Sequence, residues 1–586
     1  SNALAALKLD RAYSEGNAVN GTAFADITFL KDFKFSLNGG FGLQEVRATN
    51  MANKYYGQFA EDGGYTDKSH DRTLYYNLQQ LLSWNRAFGD HNVNVLLGHE
   101  NFVQNGYSLS ASKSNVFDMS NDELNGAVVD SKAAASSRST YMNEGYFVRA
   151  QYDYANRVFA SASYRRDASS RFHPDYRWGN FWSASAAWLI NHESWFHASW
   201  VDMLKLKASI GSQGNDNIGN YLYVDTYSIV NDNNNGIATI FGTKGTKDIT
   251  WETNTNFNTG VDFEFFGNRL SGTVEYFYRK TSDMLYYFTV PASLGYGGYY
   301  DNVGDMRNQG IEISLYGTPV QTKNFRWDVY ANATHYTNKV TYIPDEKKTR
   351  TIEGFSGYAN GNKFIGEGLP LYTFYMPKYA GVDKATGEPL WYKDVKDEQG
   401  NVTGRETTNV YSQATDYLCD DPTPKLYGGF GTSFEFFGVD ISVSFTYSLG
   451  GLTYDSGYAS LMASPVADNT GGNFHKDILK AWTPENTDTD IPRFQLGDQY
   501  NSSSSDRFLV PASYLNFQNA QIGYTLPSKI TQKIKVSKLR FYLTCDNIWY
   551  CSYRQGLDPR YSFSGSTNDS VNSPVRTLSG GINITF

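Results

Sequence analysis

The stretch Leu426-Tyr427-Gly428-Gly429-Phe430-Gly431-Thr432-Ser433-Phe434-Glu435-Phe436-Phe437-Gly438-Val439-Asp440-Ile441-Ser442-Val443-Ser444-Phe445-Thr446-Tyr447-Ser448 decides the fold. In its second half Val439, Ile441, Val443, Phe445 and Tyr447 alternate with Asp440, Ser442, Ser444, Thr446 and Ser448. A period of two describes an extended strand with one apolar and one polar face. In the first half Leu426, Phe430, Phe434 and Phe436 alternate with Tyr427, Ser433 and Glu435. Only Phe437-Gly438 separates the halves, room for a tight hairpin turn.

The same pattern closes the chain. Leu578, Ile582, Ile584 and the last residue, Phe586, share one side, with Thr577, Ser579, Asn583 and Thr585 on the other. Terminal residues of soluble domains usually fray, whereas a final strand ending on an aromatic is usual in outer-membrane barrels. The expected fold is all-β: a transmembrane antiparallel β-barrel, apolar side outward and polar side inward.

Composition agrees with that reading. The 586 residues are 40% hydrophobic and 16% aromatic, with 45 Tyr and 37 Phe, which suits aromatic girdles at two membrane interfaces. No apolar run reaches the ~18 residues of a membrane helix. A mean hydropathy of −0.50 is compatible with a barrel, because only one face of each strand meets lipid. The net charge of −9, with no basic tract, argues against nucleic-acid binding. Cys419, Cys545 and Cys551 make no disulfide framework. Cys545 and Cys551 on one extended strand lie roughly 20 Å apart, beyond bonding reach, and Cys419 is left open. Residues 1–3 read as the scar of tag cleavage, so 4–586 is treated as one barrel unit.

Strands are expected at 20–30, 33–46, 72–87, 91–104, 143–154, 157–165, 177–191, 204–212, 251–266, 268–283, 307–319, 324–342, 426–436, 438–452, 509–525, 537–550 and 575–586, about 17 in all, with a short helix near 192–203. Tight turns fall at one end. Long loops fall at the other: 47–71, 105–142, 213–250, 284–306, 343–425, 453–508 and 551–574. Short periplasmic turns and long outer loops are the bacterial outer-membrane arrangement. An odd count places the first residue outside and the last inside, while single-chain bacterial barrels have even numbers. The expectation is therefore a barrel incomplete at its N-terminus.

Catalytic signatures are weak. His192-Glu193-Ser194-Trp195-Phe196-His197 spaces its histidines five apart, where a zinc-binding helix needs four. There is no G-x-S-x-G elbow and no phosphate-binding loop. Asn231-Asp232-Asn233-Asn234-Asn235-Gly236 lacks the first Asp and the later Glu of a calcium loop and reads as a solvated turn. No enzyme, metal or cofactor is expected. The polar stripes carry more weight. Asn256, Asn258, Asp262 and Glu264 form one; Ser271, Thr273, Glu275 and Arg279 form its neighbour; Asp440 belongs to a third. An Arg or Lys facing lipid at mid-membrane costs about 2–4 kcal/mol, so these residues should line a lumen. In the outer loops Tyr296, Tyr299, Tyr300, Trp391 and Tyr392 are the substrate-binding candidates. Their flat faces stack on sugar rings and their polar edges take mixed ligands. Tyr358, Tyr454 and Tyr458 share this aromatic loop character, and loop-core packing is the competing role for each.

Several segments resemble the SusC/RagA family of TonB-dependent outer-membrane transporters. Trp482-Thr483-Pro484-Glu485-Asn486-Thr487-Asp488-Thr489-Asp490-Ile491-Pro492-Arg493 is similar to a family hallmark. So is Arg165-Arg166-Asp167-Ala168-Ser169-Ser170-Arg171-Phe172, followed by Arg177-Trp178-Gly179, with Ala168 where the family usually has Gly. Asn302-Val303-Gly304-Asp305-Met306-Arg307-Asn308-Gln309-Gly310-Ile311-Glu312, Gly381-Val382-Asp383, Thr386-Gly387-Glu388-Pro389-Leu390, Tyr514-Leu515-Asn516, Gly523-Tyr524-Thr525-Leu526-Pro527 and Gly556-Leu557-Asp558-Pro559 also fit. The resemblance covers 4–586. It implies a barrel of about 22 strands with a plugged lumen, a SusD-like surface lipoprotein as lid, and drive from TonB–ExbB–ExbD through an N-terminal part outside this chain. Outer-membrane lipid would surround the wall, and the cargo would be an oligosaccharide or, next, an oligopeptide. A barrel that only displays adhesive loops is the alternative class.

Overall fold

The computed structural model describes residues 3–130, 134–232, 236–465, 473–561, 563–567 and 574–586. Among them one antiparallel sheet gathers eighteen strands. Seventeen are long and match the expected wall one for one. They are β1 (Arg11–Phe29), β2 (Phe33–Ala52), β3 (Tyr65–Phe88), β4 (His91–Val116), β5 (Ala135–Tyr154), β6 (Val158–Ser169), β7 (Trp178–Leu189), β8 (Val201–Asn215) and β9 (Glu252–Phe265). The series continues with β10 (Leu270–Ser282), β11 (Asp305–Gln321), β12 (Phe325–Tyr342), β13 (Leu426–Phe436), β14 (Val439–Leu449), β15 (Tyr514–Thr525), β16 (Lys538–Ser552) and β17 (Thr577–Thr585). The eighteenth, Ala127–Asp130, is a four-residue patch on the loop end of β4.

The chain divides into two compact units. The first comprises residues 1–186, 211–253 and 285–302. Its ladder runs β1-β2-β3-β4-β5-β6, each strand antiparallel to the next. The second comprises residues 187–210, 254–284 and 303–586. Its ladder runs β10-β11-β12-β13-β14-β15-β16-β17. β8 also pairs with β9.

Hairpin chemistry sets the register. Phe436 pairs with Val439, so the β13–β14 connection is only Phe437-Gly438. Both have positive φ, 49° and 86°, the two left-handed residues that a right-twisted two-residue hairpin demands. A side chain at Gly438 would also meet the Thr525 carbonyl at 2.6 Å. With that turn locked, the odd residues of β14 cannot slip to the other face.

The apolar faces remain open. None of Val439, Ile441, Val443, Phe445 or Tyr447 is buried. The cross-strand row Ile441–Ile522–Leu543 continues their face. Ile522 and Leu543 are 50% and 56% exposed, values for which a water-soluble sheet has no use. Phe430, Phe445 and Phe517 stack in a second row with centroids 5.1 and 4.5 Å apart. In the first unit Leu74, Tyr76 and Leu78 of β3 are exposed in the same alternate fashion. Among the described residues no helix is long and apolar enough to cross a membrane.

Two expectations need correction. Strands overrun the expected loops: 105–116 and 135–142 extend β4 and β5, paired from Asn105↔Thr140 to Ser110↔Ala135. Polar alternation such as Ser108-Leu109-Ser110 is too weak to read as strand, yet the ladder continues because the neighbouring backbone is already in register. The helix expected near 192–203 is one 3-10 turn, Ile190–His192, before β8 opens at Val201. Asn191 pins that turn, accepting from the Leu204 amide and donating to the Asp202 carbonyl. Ser1 and Asn2 of the suspected scar lie outside the described residues, and Ala3 begins a short helix to Leu9.

Loop segments build their own small cores. Residues 343–425 hold strands at Phe355–Asn360, Lys363–Gly366, Tyr379–Val382 and Pro389–Lys396, among others. Phe364, Phe374 and Met376 there are almost wholly buried. In the first unit Phe172, Phe181, Ile218, Ile249 and Trp251 form another core.

Candidate functional site

The polar faces carry ionisable groups, and several of them are paired. In the second unit Lys207 of β8 lies 2.9 Å from Asp262 of β9 and 2.9 Å from Glu275 of β10. Lys205 adds a contact to Asp262 at 3.3 Å, and the Thr273 hydroxyl donates to it at 3.0 Å. Arg279 donates to the Asn256 side chain at 2.7 Å. Asn258 and Glu264 fall on the same side by alternation and are half-buried. Part of the expected stripe is thus linked: Asp262 and Glu275 meet at Lys207, while Arg279 bonds Asn256 separately. Its two lysines escaped the sequence reading, although Lys205-Leu206-Lys207 carries the signal: Leu206 is exposed on the apolar side, and both neighbours face the carboxylates. Pairs this open are worth ~0–1 kcal/mol each. Their larger effect is to offset the charge of Asp262 and Glu275 on that face.

Asp440 on β14 meets Arg540 on β16 in two contacts, 2.9 and 2.5 Å, across the intervening β15. The residue of β15 between them is Gly523, paired with Asp440 on one side and Tyr542 on the other.

In the first unit the Arg165–Phe172 motif accounts for itself residue by residue. Arg165 bonds Glu100 of β4 and both oxygens of Asp167. Arg166 points the other way, its guanidinium 5.1 Å from the Trp178 ring. Ala168 and Ser169 are buried. Ser169 and Tyr141 donate to the Asp216 carboxylate at 2.6 and 2.9 Å, and Arg171 lies 4.4 Å above the Tyr141 ring. Phe172 ends the motif in the hydrophobic core. A cavity of about 490 Å³ opens beside it, lined by Arg165, Asp167, Trp182, Gln213 and Asp216 among others.

The aromatic candidates divide. Tyr299 stacks edge-on against Phe288 and Tyr300 against Tyr287, across the hairpin Leu285–Thr289/Gly298–Asn302. Tyr300 also packs on the Phe172 core. Tyr296 leans on Phe241. Trp391 is removed from the candidates: it is 1% exposed, wedged edge-to-face between Tyr411 and Tyr500, and has no surface to give a ligand. Tyr392, its neighbour on Pro389–Lys396, is half-buried with the Arg405 guanidinium 5.7 Å from its ring. Tyr358, at 2% exposed, is likewise a loop-core residue.

Two resembling motifs a hundred residues apart prove to be one structural joint. Arg493 donates to Asp498 at 3.0 and 3.1 Å, to Glu388 at 3.3 Å and to the Thr386 carbonyl at 3.0 Å. Its amide donates to the Gly387 carbonyl, and the Trp482 indole to that of Lys384. Pro484 sits in the tight turn closed between Thr483 and Asn486. In the adjoining loop Arg507 lies 5.1 Å from the Tyr379 ring, and burial pushes the Tyr379 hydroxyl up to about 12 against that positive charge.

Glu193 of the histidine pair accepts from the Trp188 indole at 3.0 Å, which is a structural role. Among the described residues no group of three or more His, Cys, Asp or Glu side chains could hold a metal ion. Of the Asn-rich turn, residues 233–235 lie outside the described residues. All three cysteines are free, and β16 runs past the expected end at 550 to take in Cys551 as well as Cys545.

A large antiparallel sheet with one bare apolar face and one polar face that carries ion pairs defines a transmembrane β-barrel protein. A family model described as TonB dependent receptor-like, beta-barrel, matches residues 4–386, and the chain belongs to that family. Barrels of TonB-dependent receptors are outer-membrane proteins, and the family is one of receptors and transporters rather than an enzyme class. TonB-dependent receptor SusC of Bacteroides thetaiotaomicron is 27% identical over 95% of this chain and 55% of its own length. TonB-dependent receptor P3 of Formosa agariphila is 26% identical over 96% of this chain and 57% of its own. The solved structure of the RagAB peptide transporter matches with a TM-score of 0.84 at 26% identity, covering 99% of this chain and 63% of that one. The chain therefore spans a little over half the length of these curated relatives.

Proposed function

We propose that this chain is the wall and outer-loop portion of an outer-membrane nutrient importer that takes up oligosaccharides. The observation that carries the reading is the two-sided ribbon β14–β15–β16: Ile441, Ile522 and Leu543 bare on one side, Asp440 and Arg540 joined on the other. Lipid covers the first side and a water-filled lumen the second. Asn256, Asn258, Asp262, Glu264, Glu275, Arg279 and Asp440, with Lys205, Lys207 and Arg540, line that lumen. Lys205 and Lys207 are paired with Asp262 and Glu275, and Arg540 with Asp440, which favours passage of a neutral polar cargo along this face. Energy comes from TonB–ExbB–ExbD through parts of the protein outside this chain, and a SusD-like surface lipoprotein closes over the loops. The resemblance of the Trp482–Arg493 and Arg165–Phe172 segments to the SusC/RagA family supports the glycan reading. Likeness to a solved peptide transporter supports an oligopeptide importer as the second reading. Deleting the complete gene and growing the strain on single polymeric nutrients, glycans in one set and proteins in another, tests both. Loss of growth on one glycan is expected. Loss on protein alone selects the second reading, and unchanged growth throughout rejects import.

A further inference from the structure

Tyr427, Ser448 and Tyr514 lie side by side on three adjacent strands, paired Tyr427↔Ser448 and Ser448↔Tyr514 at the loop ends of β13, β14 and β15. Alternation puts all three on the same side as Asp440 and Arg540. The middle residue is small and buried, so two tyrosines stand on either side of a low floor. Strands two apart are separated by roughly 10 Å, which leaves space for a single ring making van der Waals contacts of about 3.5–4.0 Å on each side. Tyr336 of β12 closes one wall, its ring 6.1 Å from that of Tyr427 and nearly perpendicular to it. Pro422, Pro424, Pro559 and the exposed Phe563 also line the space. The cavity measures about 360 Å³, inside the ~300–1,000 Å³ range of ligand pockets. Its lining includes one charged residue, Arg560, whose guanidinium is held by Asp558 at 2.7 and 2.6 Å.

We infer that this slot is a binding subsite for one neutral pyranose ring of the cargo. Apolar C–H faces of the sugar rest on the tyrosine rings, and its hydroxyls reach the Ser448 floor. The chemistry disfavours a charged ligand, since the one lining charge is already neutralised. It also separates this place from the aromatic candidates of the sequence reading, none of which lines it. The inference rests on the import reading above and deepens it by naming a sugar-binding position.

The test uses the full-length transporter purified with its membrane partner. Maltohexaose, cellohexaose, xylohexaose, mannohexaose and hexaalanine are titrated calorimetrically against wild type, Tyr427→Ala, Tyr514→Ala and Tyr427→Phe. At least one hexasaccharide should bind, with each alanine variant about five- to tenfold weaker and Tyr427→Phe close to wild type, since the phenylalanine keeps the ring face. Circular dichroism and the heat-dependent gel shift of the folded barrel confirm that each variant is intact. Ser448→Trp, which fills the floor, should abolish the same binding and provides a second route if an alanine variant misfolds. No hexasaccharide bound, hexasaccharide affinity unchanged in the variants, or weakening for hexaalanine instead would each overturn the inference. Failure of import itself is read separately, by growth of the deletion strain.

Discussion

Arg540 reaches Asp440 over the bare α-carbon of Gly523, joining β14 to β16 above the strand that separates them. A Cβ at Gly523 would stand 2.5 Å from the guanidinium and 2.6 Å from both carboxylate oxygens. The glycine is required here for passage. Gly523→Ala should break the bridge and cost about 1–3 kcal/mol, by leaving two half-buried ions without partners. Denaturant titration of the full-length protein in vesicles measures it. Adding Asp440→Asn to Gly523→Ala should cost little more, because both changes remove one interaction. Fully additive losses would show that the glycine acts elsewhere.

Leu543, halfway along β16, distinguishes lipid from water directly. In a bilayer, Leu543→Arg should destabilise the folded barrel by about 2–4 kcal/mol. On a water-exposed sheet the same change falls within about 0.5 kcal/mol. Folding free energies in phospholipid vesicles decide between the two, and the smaller value would remove the membrane assignment of this face.

Arg493 clamps two loop segments through a planar fork that bonds a carboxylate twice and a carbonyl once. Arg493→Ala should make residues 380–390 and 482–500 cleavable by trypsin or chymotrypsin at least tenfold faster. Arg493→Lys should restore only part of the protection, since an ammonium cannot reproduce the fork. Wall strands should stay resistant in both variants.

Lys363 is buried with its ammonium over the Phe374 ring, and burial pushes its amine down to about 7, against the pull of Asp421. The folded loop then binds fewer protons than the unfolded one between pH 7 and the ordinary lysine value, so loop stability rises with pH across that window. Below pH 7 the charge is carried in both states and the burial cost is fully felt. Lys363→Met should flatten the rise and stabilise the loop at pH 6 by ~1–3 kcal/mol. Hydrogen exchange of residues 355–376 at pH 6 and pH 9 reads it out. A wild-type loop equally protected at both values would contradict the depressed amine.

Strand alternation was legible in the sequence because it is local: each residue of Val439–Tyr447 declares its side by its own chemistry, and a two-residue turn at Phe437-Gly438 leaves one register. The wall strands, about seventeen, and the two faces of each followed from that alone. The same locality brought Asp262, Glu275, Asn256 and Arg279 onto one face. Only the tertiary structure could decide which of those groups meet. Arg540 and Asp440 are a hundred residues apart and touch because turns and ladders bring their strands within one strand of each other. Trp391 looked like a surface ring and is buried, since short loop strands of three to eight residues carry too little pattern to show what will pack over them. Covering a loop aromatic depends on long-range contacts with segments such as Tyr411 and Tyr500, and no period in the chain announces those.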